Sequence, residues 1–364
     1  MNNAHNYCVL MAGGQGIRLW PYSRKEKPKQ FLDFMGMGRS LFQLTYERVL
    51  PLFDPNHIYV LTNKDYVELI KQQLPNLPAE NILPEPVHRN TAPAAAWAAM
   101  HLSCQDPDAN MVALPVDQLI QNEAEFRNTL QRGLEFAATH HKLVTVGKKP
   151  AHVETAYGYI QIDEEMGDGI YTVKSFTEKP ELEFANLFVE CGEFYWNTGM
   201  FIWNVKTLID EIHDHIPELA DKLGSVAWHI AQEKSQDWES QVWEGYSSCP
   251  NLSIDYGILE KSDDVCVIIG NFGWADLGSW QSYYDLAPKD TDDNAAGRNH
   301  LISYNSKGNL VALPEGQLAV IEDLEGYAVI EAGNVLVVCP LEKTPTVLRK
   351  YVNDVKIKMG EDFV

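Results

Sequence analysis

Basic residues are scarce in this sequence. Lysine and arginine number 29 against 51 aspartate and glutamate residues, which gives a formal charge of −22 at pH 7. Proteins that bind nucleic acid or anionic membranes depend on cations placed against phosphate groups, so the acid excess argues against both classes. A ligand that carries phosphate therefore requires a local cluster of basic side chains.

Long apolar runs and paired cysteines are also missing. No run approaches the ~20 apolar residues that span a bilayer. The first residues, MNNAHNYCVLMAGG, have no basic stretch followed by a long apolar one, so no signal peptide is predicted. The six cysteines are scattered without a C-x-x-C pair, which indicates reduced, mostly buried thiols. We expect a soluble, cytoplasmic protein.

The composition that remains is ordinary for a globular protein. Apolar residues make up 45% of 364 positions, and this length predicts roughly two domains. Short apolar runs predict strands at 7–11, 58–61, 111–114 and 143–146, and longer stretches between them predict helices at 40–52, 64–74, 91–104 and 123–140. This alternation indicates an α/β fold with a doubly wound, mixed or mostly parallel sheet. Ligands of such sheets bind where strands end, here after Met11 and Leu114.

The C-terminal part of the sequence follows a different pattern. Apolar runs begin near residues 301, 310, 318, 327 and 335, and turn sequences separate them every eight or nine residues or so. The pattern predicts a small β domain at 298–364, joined by the polar stretch KDTDDNAAGR to a larger domain at 1–288. Strands that repeat at a fixed period can stack as coils, so a short left-handed β-helix is one option.

A glycine-rich loop follows the first predicted strand. Gly13, Gly14 and Gly16 lack the Cβ atoms that would keep a phosphate from backbone N–H groups. The loop matches neither the P-loop nor the dinucleotide-binding pattern. Five basic residues lie between Arg18 and Lys29 against a single acid. Because these cations adjoin the glycine loop, we interpret the segment as a triphosphate site rather than a solvated basic loop.

The loop and the segments that follow it resemble the sugar-phosphate nucleotidyltransferases, and in finer detail the mannose-1-phosphate guanylyltransferases. The loop itself reads GGQGIRL at 13–19. The other matching segments are LWPYSR at 19–24, PKQFL at 28–32, EP at 85–86, RNTAP at 89–93, EKP at 178–180, WNTGMF at 196–201, SIDY at 253–256 and GWADLGSW at 273–280. Eight segments in order, from about residue 8 to 282, make a chance match very improbable.

The resemblance implies a reaction and a Rossmann-like nucleotidyltransferase fold. A mannose 1-phosphate oxygen attacks the α-phosphorus of GTP, GDP-mannose forms, and pyrophosphate leaves. Arg18 and Lys29 are the implied catalytic cations, and Asp117 and Asp276 are the implied ligands of Mg²⁺. The implied nucleotide-binding residues are Ala12, Gly13, Gly14, Gly16, Glu85, Arg89, Asn90 and Thr91. The implied sugar-phosphate residues are Gly158, Glu178, Lys179, Asn197 and Asp255.

The sequence departs from the family pattern at two positions. Gln118 follows Asp117 where the family usually has histidine, so no acid–base role is assigned there. His88 stands where the family often has glycine, next to the segment implied to contact guanine. For Asn90 and Thr91 a helix N-cap is the competing interpretation, because a helical pattern begins at residue 92.

Two other functions stay open at this stage. One is nucleotidyl transfer with another nucleoside triphosphate and hexose 1-phosphate, and the other is a non-catalytic, nucleotide-sugar-binding regulatory subunit. The presence of Arg18, Lys29, Asp117 and Asp276 argues against the second. The apolar strands of the C-terminal domain must cover a face against the rest of the chain or against a second copy, and we expect a homodimer.

Overall fold

A computed structural model describes residues 3–34, 36–231 and 238–364. The chain forms two compact units. The first unit comprises Met1–Gly13, Tyr46–Val116 and Ile120–Trp274, and the second comprises Gly14–Thr45, Asp117–Leu119 and Ala275–Val364. The segment 14–45 thus groups with the C-terminal part. The sequence places the boundary between the catalytic domain and the small β domain at residues 288–298. That boundary stays a prediction.

The strands are β1 (Asn6–Met11), β2 (Ile58–Asn63), β3 (Ile82–Glu85), β4 (Asn110–Pro115), β5 (Gln118–Ile120), β6 (Leu143–Lys148), β7 (Tyr159–Gly167), β8 (Ile170–Thr177), β9 (Phe194–Asn204), β10 (Val265–Ile269), β11 (Trp274–Asp276), β12 (His300–Tyr304), β13 (Leu310–Ala312), β14 (Leu318–Glu322), β15 (Tyr327–Ala332) and β16 (Val335–Pro340). The helices are α1 (Leu41–Val49), α2 (Val67–Gln73), α3 (Thr91–Gln105), α4 (Glu123–His140), α5 (Leu182–Cys191), α6 (Val205–His215), α7 (Pro217–Ala231), α8 (Trp238–Ser247), α9 (Trp280–Leu286) and α10 (Thr344–Met359).

A nine-stranded sheet forms the centre of the first unit, in the order β3-β2-β1-β4-β9-β6-β10-β8-β7. Strands β3, β2, β1 and β4 are parallel neighbours, and so are β6 and β10. Strand β9 runs antiparallel between β4 and β6. The predicted doubly wound, mixed α/β sheet is therefore confirmed, and β1, β4, β6 and β10 all end at one edge.

Burial explains why the inner strands are apolar on both faces. The four central residues of β1 are all buried, as expected for a parallel strand covered by helices on both sides. Helix α3 is alanine-rich and carries ten buried residues, so it packs closely over the sheet. Helix α4 spans the predicted bounds of 123–140.

The C-terminal strands stack as coils. Strands β12 and β14 pair in parallel with His300 opposite Leu318, and β13 and β15 pair with Leu310 opposite Ala328, so each pairing joins residues 18 positions apart. Inside the stack, the Asn309 side chain accepts from the Tyr327 amide at 2.9 Å and donates to the Leu324 carbonyl at 2.8 Å. This parallel stacking is that of a short β-helix, the predicted option.

We expected the C-terminal domain to contain only strands, and this is wrong for its last part. The final element is helix α10, which is sixteen residues long. Its sequence places Leu348, Tyr351, Val352 and Val355 at helical spacing, with Leu348 buried and the others partly buried in the core of the second unit. These apolar residues are not consecutive, so a search for short apolar runs typical of strands does not detect the helix. Pro345 lies in the first helical turn, where proline is tolerated.

The segment 14–45 supplies part of the same core. Leu19, Trp20, Phe34 and Leu41 cluster with apolar residues of the C-terminal strands. The Trp20 indole N–H donates to the Phe363 carbonyl at 2.8 Å. The C-terminal strands are therefore covered in part by their own chain.

The structure also bears on the state of the cysteines and on membrane-spanning helices. All six cysteines are free thiols, four of them buried. Among the described residues, no helix has the length and apolar character needed to cross a membrane.

Candidate active site

The glycine loop and the lysine segment are tied together in the second unit. The Ser23 hydroxyl donates to the Gln15 carbonyl at 2.9 Å and accepts from the Lys29 amide at 3.0 Å. The Gln30 side chain donates to the Gly14 carbonyl at 2.8 Å. Gly16 has a φ of +63°, and a Cβ there would lie 2.6 Å from the Ser23 oxygen, so only glycine fits.

Lys29 is a buried cation with an acid partner. It is only 8% exposed, and its Nζ lies 2.9 Å from Asp117 Oδ2 and 3.1 Å from the Leu277 carbonyl. Burial lowers the pKa of Lys29, but Asp117 and Asp276 together outweigh that effect, so the pKa lies above its ordinary value; Arg18 opposes them slightly. The lysine is therefore a fixed positive charge, and the structure brings together Arg18, Lys29, Asp117 and Asp276 as expected from the sequence.

The two aspartates lie at the ends of short strands. Asp117 precedes β5 and Asp276 ends β11, and these two strands pair with one another. A Cβ at Gly278 would lie 2.4 Å from Asp276 Oδ2, so glycine leaves room for that carboxylate. Mg²⁺ commonly takes one or two carboxylates and completes its shell with phosphate oxygens and water, and this donor set fits that requirement. No group of three or more His, Cys, Asp or Glu ligands occurs among the described residues.

Glu85 is a buried carboxyl in the first unit, at the end of β3. Its Oε1 accepts a hydrogen bond from the hydroxyl of Tyr246. Burial raises the pKa of Glu85 to about 7, and the bond from Tyr246 opposes part of that rise. A Cβ at Gly13 would lie 2.8 Å from Glu85 Oε2, so this glycine lets the loop approach the carboxyl.

Tyr246 is a residue that the sequence did not predict. Its side chain is fully buried, and its ring contacts Trp97 edge to face with 5.9 Å between the ring centroids. Because 161 positions separate it from Glu85, no local pattern links the two.

The segment before α3 combines capping with strain. Asn90 has a φ of 70° and a ψ of −172°, a conformation that costs a non-glycine residue about 1–3 kcal/mol. Its side chain accepts from the Thr91 amide at 2.9 Å, which confirms the N-cap interpretation. The Thr91 hydroxyl accepts from the Ile254 amide at 2.9 Å, and Arg89 donates to the Ser247 carbonyl. Contact of these residues with a nucleotide stays a prediction.

The five sugar-phosphate candidates lie together in the first unit. The Asn197 Nδ2 donates to Asp255 Oδ1 at 2.8 Å. A Cβ at Gly158 would lie 2.4 Å from Glu178 Oε2 and 3.4 Å from the Asn197 Cβ. Lys179 donates to Glu178. Burial, reinforced by Glu178, raises the pKa of Asp255 to about 6. The cluster therefore presents carboxyl and amide groups suited to sugar hydroxyls.

Four tryptophans near the site are buried: Trp196, Trp203, Trp274 and Trp280. The sequence did not single out Lys148, which contacts two of them. Its only local signal is that a lysine ends an otherwise buried strand.

Comparisons with known proteins show which family this chain belongs to. Residues 7–293 match the nucleotidyl transferase family. The mannose-1-phosphate guanylyltransferase of Salmonella muenchen is 35% identical over 91% of this chain and 69% of its own length. The alginate biosynthesis protein AlgA of Pseudomonas aeruginosa is 34% identical over 93% of this chain and 70% of its own.

A solved structure resembles nearly the whole chain. The crystal structure of mannose-1-phosphate geranyltransferase from Thermus thermophilus superposes with a TM-score of 0.85 at 27% identity, over 97% of this chain and 99% of that one. The region that matches the family includes the glycine loop, Lys29, Asp117 and Asp276. This chain belongs to the nucleotidyl transferase family.

Proposed function

We propose that this protein transfers GMP from GTP to α-D-mannose 1-phosphate and releases GDP-mannose and pyrophosphate. The observation that carries the proposal is Lys29, a buried ammonium held against Asp117 with Asp276 close by. Relatives named mannose-1-phosphate guanylyltransferase support the choice of substrates.

The reaction asks for positioning and charge neutralisation rather than covalent catalysis. An oxygen of the mannose 1-phosphate attacks the α-phosphorus of GTP and forms the new P–O bond. The bond from the α-phosphorus to the bridging oxygen breaks, and pyrophosphate leaves with that electron pair. Because the attacking phosphate is already ionised at neutral pH, no general base is needed, which is consistent with Gln118 beside Asp117.

Two cations of the second unit can neutralise the negative charge of the triphosphate. Lys29 is protonated and held in place by two contacts, so it can neutralise charge on the α-phosphate and on departing pyrophosphate without rearranging. Arg18 supplies a second positive charge. Asp117 and Asp276 would hold Mg²⁺, which would supply further neutralisation of phosphate oxygens.

Guanine recognition is assigned to the first unit. A guanine edge presents N1–H and N2–H₂ donors and an O6 acceptor. Glu85 can accept from the donors, and backbone amides or the Asn90 side chain can donate to O6. With a pKa of about 7, Glu85 is partly ionised at neutral pH, and a pair of donors would favour its charged form.

We expect GTP to be preferred over ATP, UTP and dTTP. A site built for guanine donors leaves groups unpaired with any other base, at about 1–3 kcal/mol for each, or roughly tenfold to hundredfold in kcat/KM. The measurement is pyrophosphate release with four nucleoside triphosphates against mannose 1-phosphate and glucose 1-phosphate. Equal rates with GTP and ATP would contradict the guanine assignment, and no release with any pair would contradict nucleotidyl transfer.

We also propose that the protein is a homodimer that pairs through its C-terminal strands. Ile302 and Tyr304 on β12, with Leu318 and Val320 on β14, form one exposed apolar face, and Ile302 lies opposite Val320 in the ladder. Such faces mark interaction sites. Light scattering of the intact chain should give twice the monomer mass, and the paired substitution Ile302→Asp and Val320→Asp should give a monomer. A monomeric intact chain at micromolar concentration, or a variant that still dimerises, would refute this interface.

A further inference from the structure

Glu85 ends β3 with its two carboxyl oxygens in different surroundings. Oε1 accepts a hydrogen bond from the Tyr246 hydroxyl, whereas a Cβ at Gly13 would lie 2.8 Å from Oε2. The Glu85 side chain is only 3% exposed. A ligand seated against Gly13 therefore meets Oε2, while Tyr246 occupies Oε1.

The Tyr246 hydroxyl is held at this carboxyl by its own surroundings. The side chain is fully buried near the end of α8, and its ring contacts the Trp97 ring of α3 edge to face. The Arg89 guanidinium donates to the carbonyl of Ser247, which follows Tyr246 and ends α8. Contacts with α3 and with Arg89 therefore keep the hydroxyl directed at Glu85.

The hydroxyl is the donor in this pair, so it stabilises the ionised form of Glu85. Burial, reinforced by the charge of Glu85, raises the pKa of Tyr246 well above its ordinary value, and the proton stays on the phenol. Burial also raises the pKa of Glu85 to about 7, and the bond from Tyr246 opposes that rise. Without this donor, the Glu85 carboxyl would stay protonated to higher pH.

The other ionisable groups around the pair keep one charge state near and above neutral pH. Among the described residues, Tyr246 is the only side chain that shifts the pKa of Glu85. Arg89 and Cys249 act on Tyr246 instead; a guanidinium stays charged in proteins, and burial raises the pKa of the Cys249 thiol to about 11. His88 lies three residues after Glu85, and burial lowers its pKa, so it is neutral above pH 7. A change of charge here above neutral pH therefore belongs to Glu85.

The charge of this carboxyl decides which purine it can bind. An ionised carboxyl only accepts hydrogen bonds, and the guanine edge offers N1–H and N2–H₂ donors. Adenine has an unprotonated N1 and a C2–H group at the same positions, so the carboxylate would face a lone pair. A protonated carboxyl is a donor, which suits adenine N1 and opposes guanine N1–H. Guanine binding therefore depends on the fraction of Glu85 that is ionised.

We infer that Tyr246 is a positioning residue for base selection: its hydroxyl holds Glu85 as a carboxylate and leaves Oε2 for the guanine donors. This inference rests on the proposed function. Tyr246 acts on the nucleotide through Glu85, and Gly13 gives the base access to the carboxyl. A site built to hydrogen-bond its substrate discriminates strongly, because the wrong base leaves its polar groups unpaired.

The experiment compares Tyr246→Phe with the wild type and with Tyr59→Phe. Tyr59 is also buried in the first unit, and its hydroxyl donates to the neutral Gln105 side chain at 2.8 Å, which makes it the matched control. We measure kcat/KM for GTP and for ATP from about pH 6 to about pH 9, since its pH dependence reports groups of the free enzyme. Ionisations of the substrates are common to all proteins and cancel in the ratio of variant to wild type. Calorimetric titration of GTP without mannose 1-phosphate gives a readout besides turnover.

Tyr246→Phe should move the midpoint of the GTP profile up by about one pH unit, the effect of losing a hydrogen bond to a charged group. At pH 7 the ionised fraction of Glu85 would then fall from about half to about a tenth, so the GTP-to-ATP ratio of kcat/KM should drop about tenfold. At about pH 9 Glu85 ionises in both proteins, and GTP binding and kcat/KM should agree within about threefold. Tyr59→Phe should match the wild type at every pH. In a Glu85→Gln background, Tyr246→Phe should cause no pH-dependent loss.

Two results would overturn the inference alone. An unchanged GTP profile in Tyr246→Phe would show that the hydroxyl does not control Glu85. A loss of equal size at every pH would make Tyr246 a packing residue beside Trp97. In both cases a wild type that prefers GTP leaves the proposed function standing. A wild type that uses GTP and ATP equally would overturn the guanine assignment and the inference together.

Discussion

Replacing Lys29 with methionine should lower kcat about a thousandfold. Removal of one preorganised charge from a phosphoryl-transfer site typically costs a factor of about 10²–10³ or more. Lys29 is the buried charge that Asp117 holds at 2.9 Å. The measurement is GDP-mannose formation at saturating GTP, mannose 1-phosphate and Mg²⁺.

Lys27→Met is the matched control, since Lys27 is exposed and lies two residues away in the same segment. It should keep near wild-type turnover. Removing Lys29 also leaves Asp117 and Asp276 without their buried counter-charge, so thermal unfolding should be followed in parallel. A folded Lys29→Met protein with turnover within about tenfold of wild type would show that Lys29 does not act on the phosphates.

Asp117→Asn and Asp276→Asn should each lower turnover by about a hundredfold or more while the fold is kept. Asparagine has nearly the same shape as aspartate but removes the charge that a hard divalent cation requires. The two carboxylates also raise the pKa of Lys29, so each substitution weakens the fixed charge beside it. Turnover measured over a Mg²⁺ titration checks both effects.

Asp285→Asn provides the control on α9, since Asp285 is exposed and its side chain accepts from the Gln281 amide group at 3.0 Å. It should leave the Mg²⁺ titration unchanged. If either Asp117→Asn or Asp276→Asn reaches the wild-type rate at saturating Mg²⁺, that residue is not a metal ligand.

Periodicity in the sequence predicted much of the fold. The amphipathic stretch 123–140 matched α4 residue for residue, because a single long helix with one apolar face leaves little ambiguity. The antiparallel insertion of β9 between β4 and β6 could not be predicted, since strand order depends on contacts between distant segments. Helix α10 was missed because its apolar residues fall at helical spacing in a region dominated by strand patterns.

The candidate site also contains residues that the sequence predicted and residues that it did not. The local sequence predicted the glycine loop and Lys29 as site residues, since both belong to one short segment that is rich in glycine and basic residues. Tyr246 was not predicted, because its place in the site comes only from the buried carboxyl that the fold puts beside it.

Following the α-phosphate of GTP tests the central claim most directly. The protein is incubated with mannose 1-phosphate, Mg²⁺ and GTP labelled at the α-phosphorus in one reaction and at the γ-phosphorus in another. Attack at the α-phosphorus should place the α label in GDP-mannose and the γ label in pyrophosphate. Release of the γ label as inorganic phosphate, or no labelled GDP-mannose, would contradict the account.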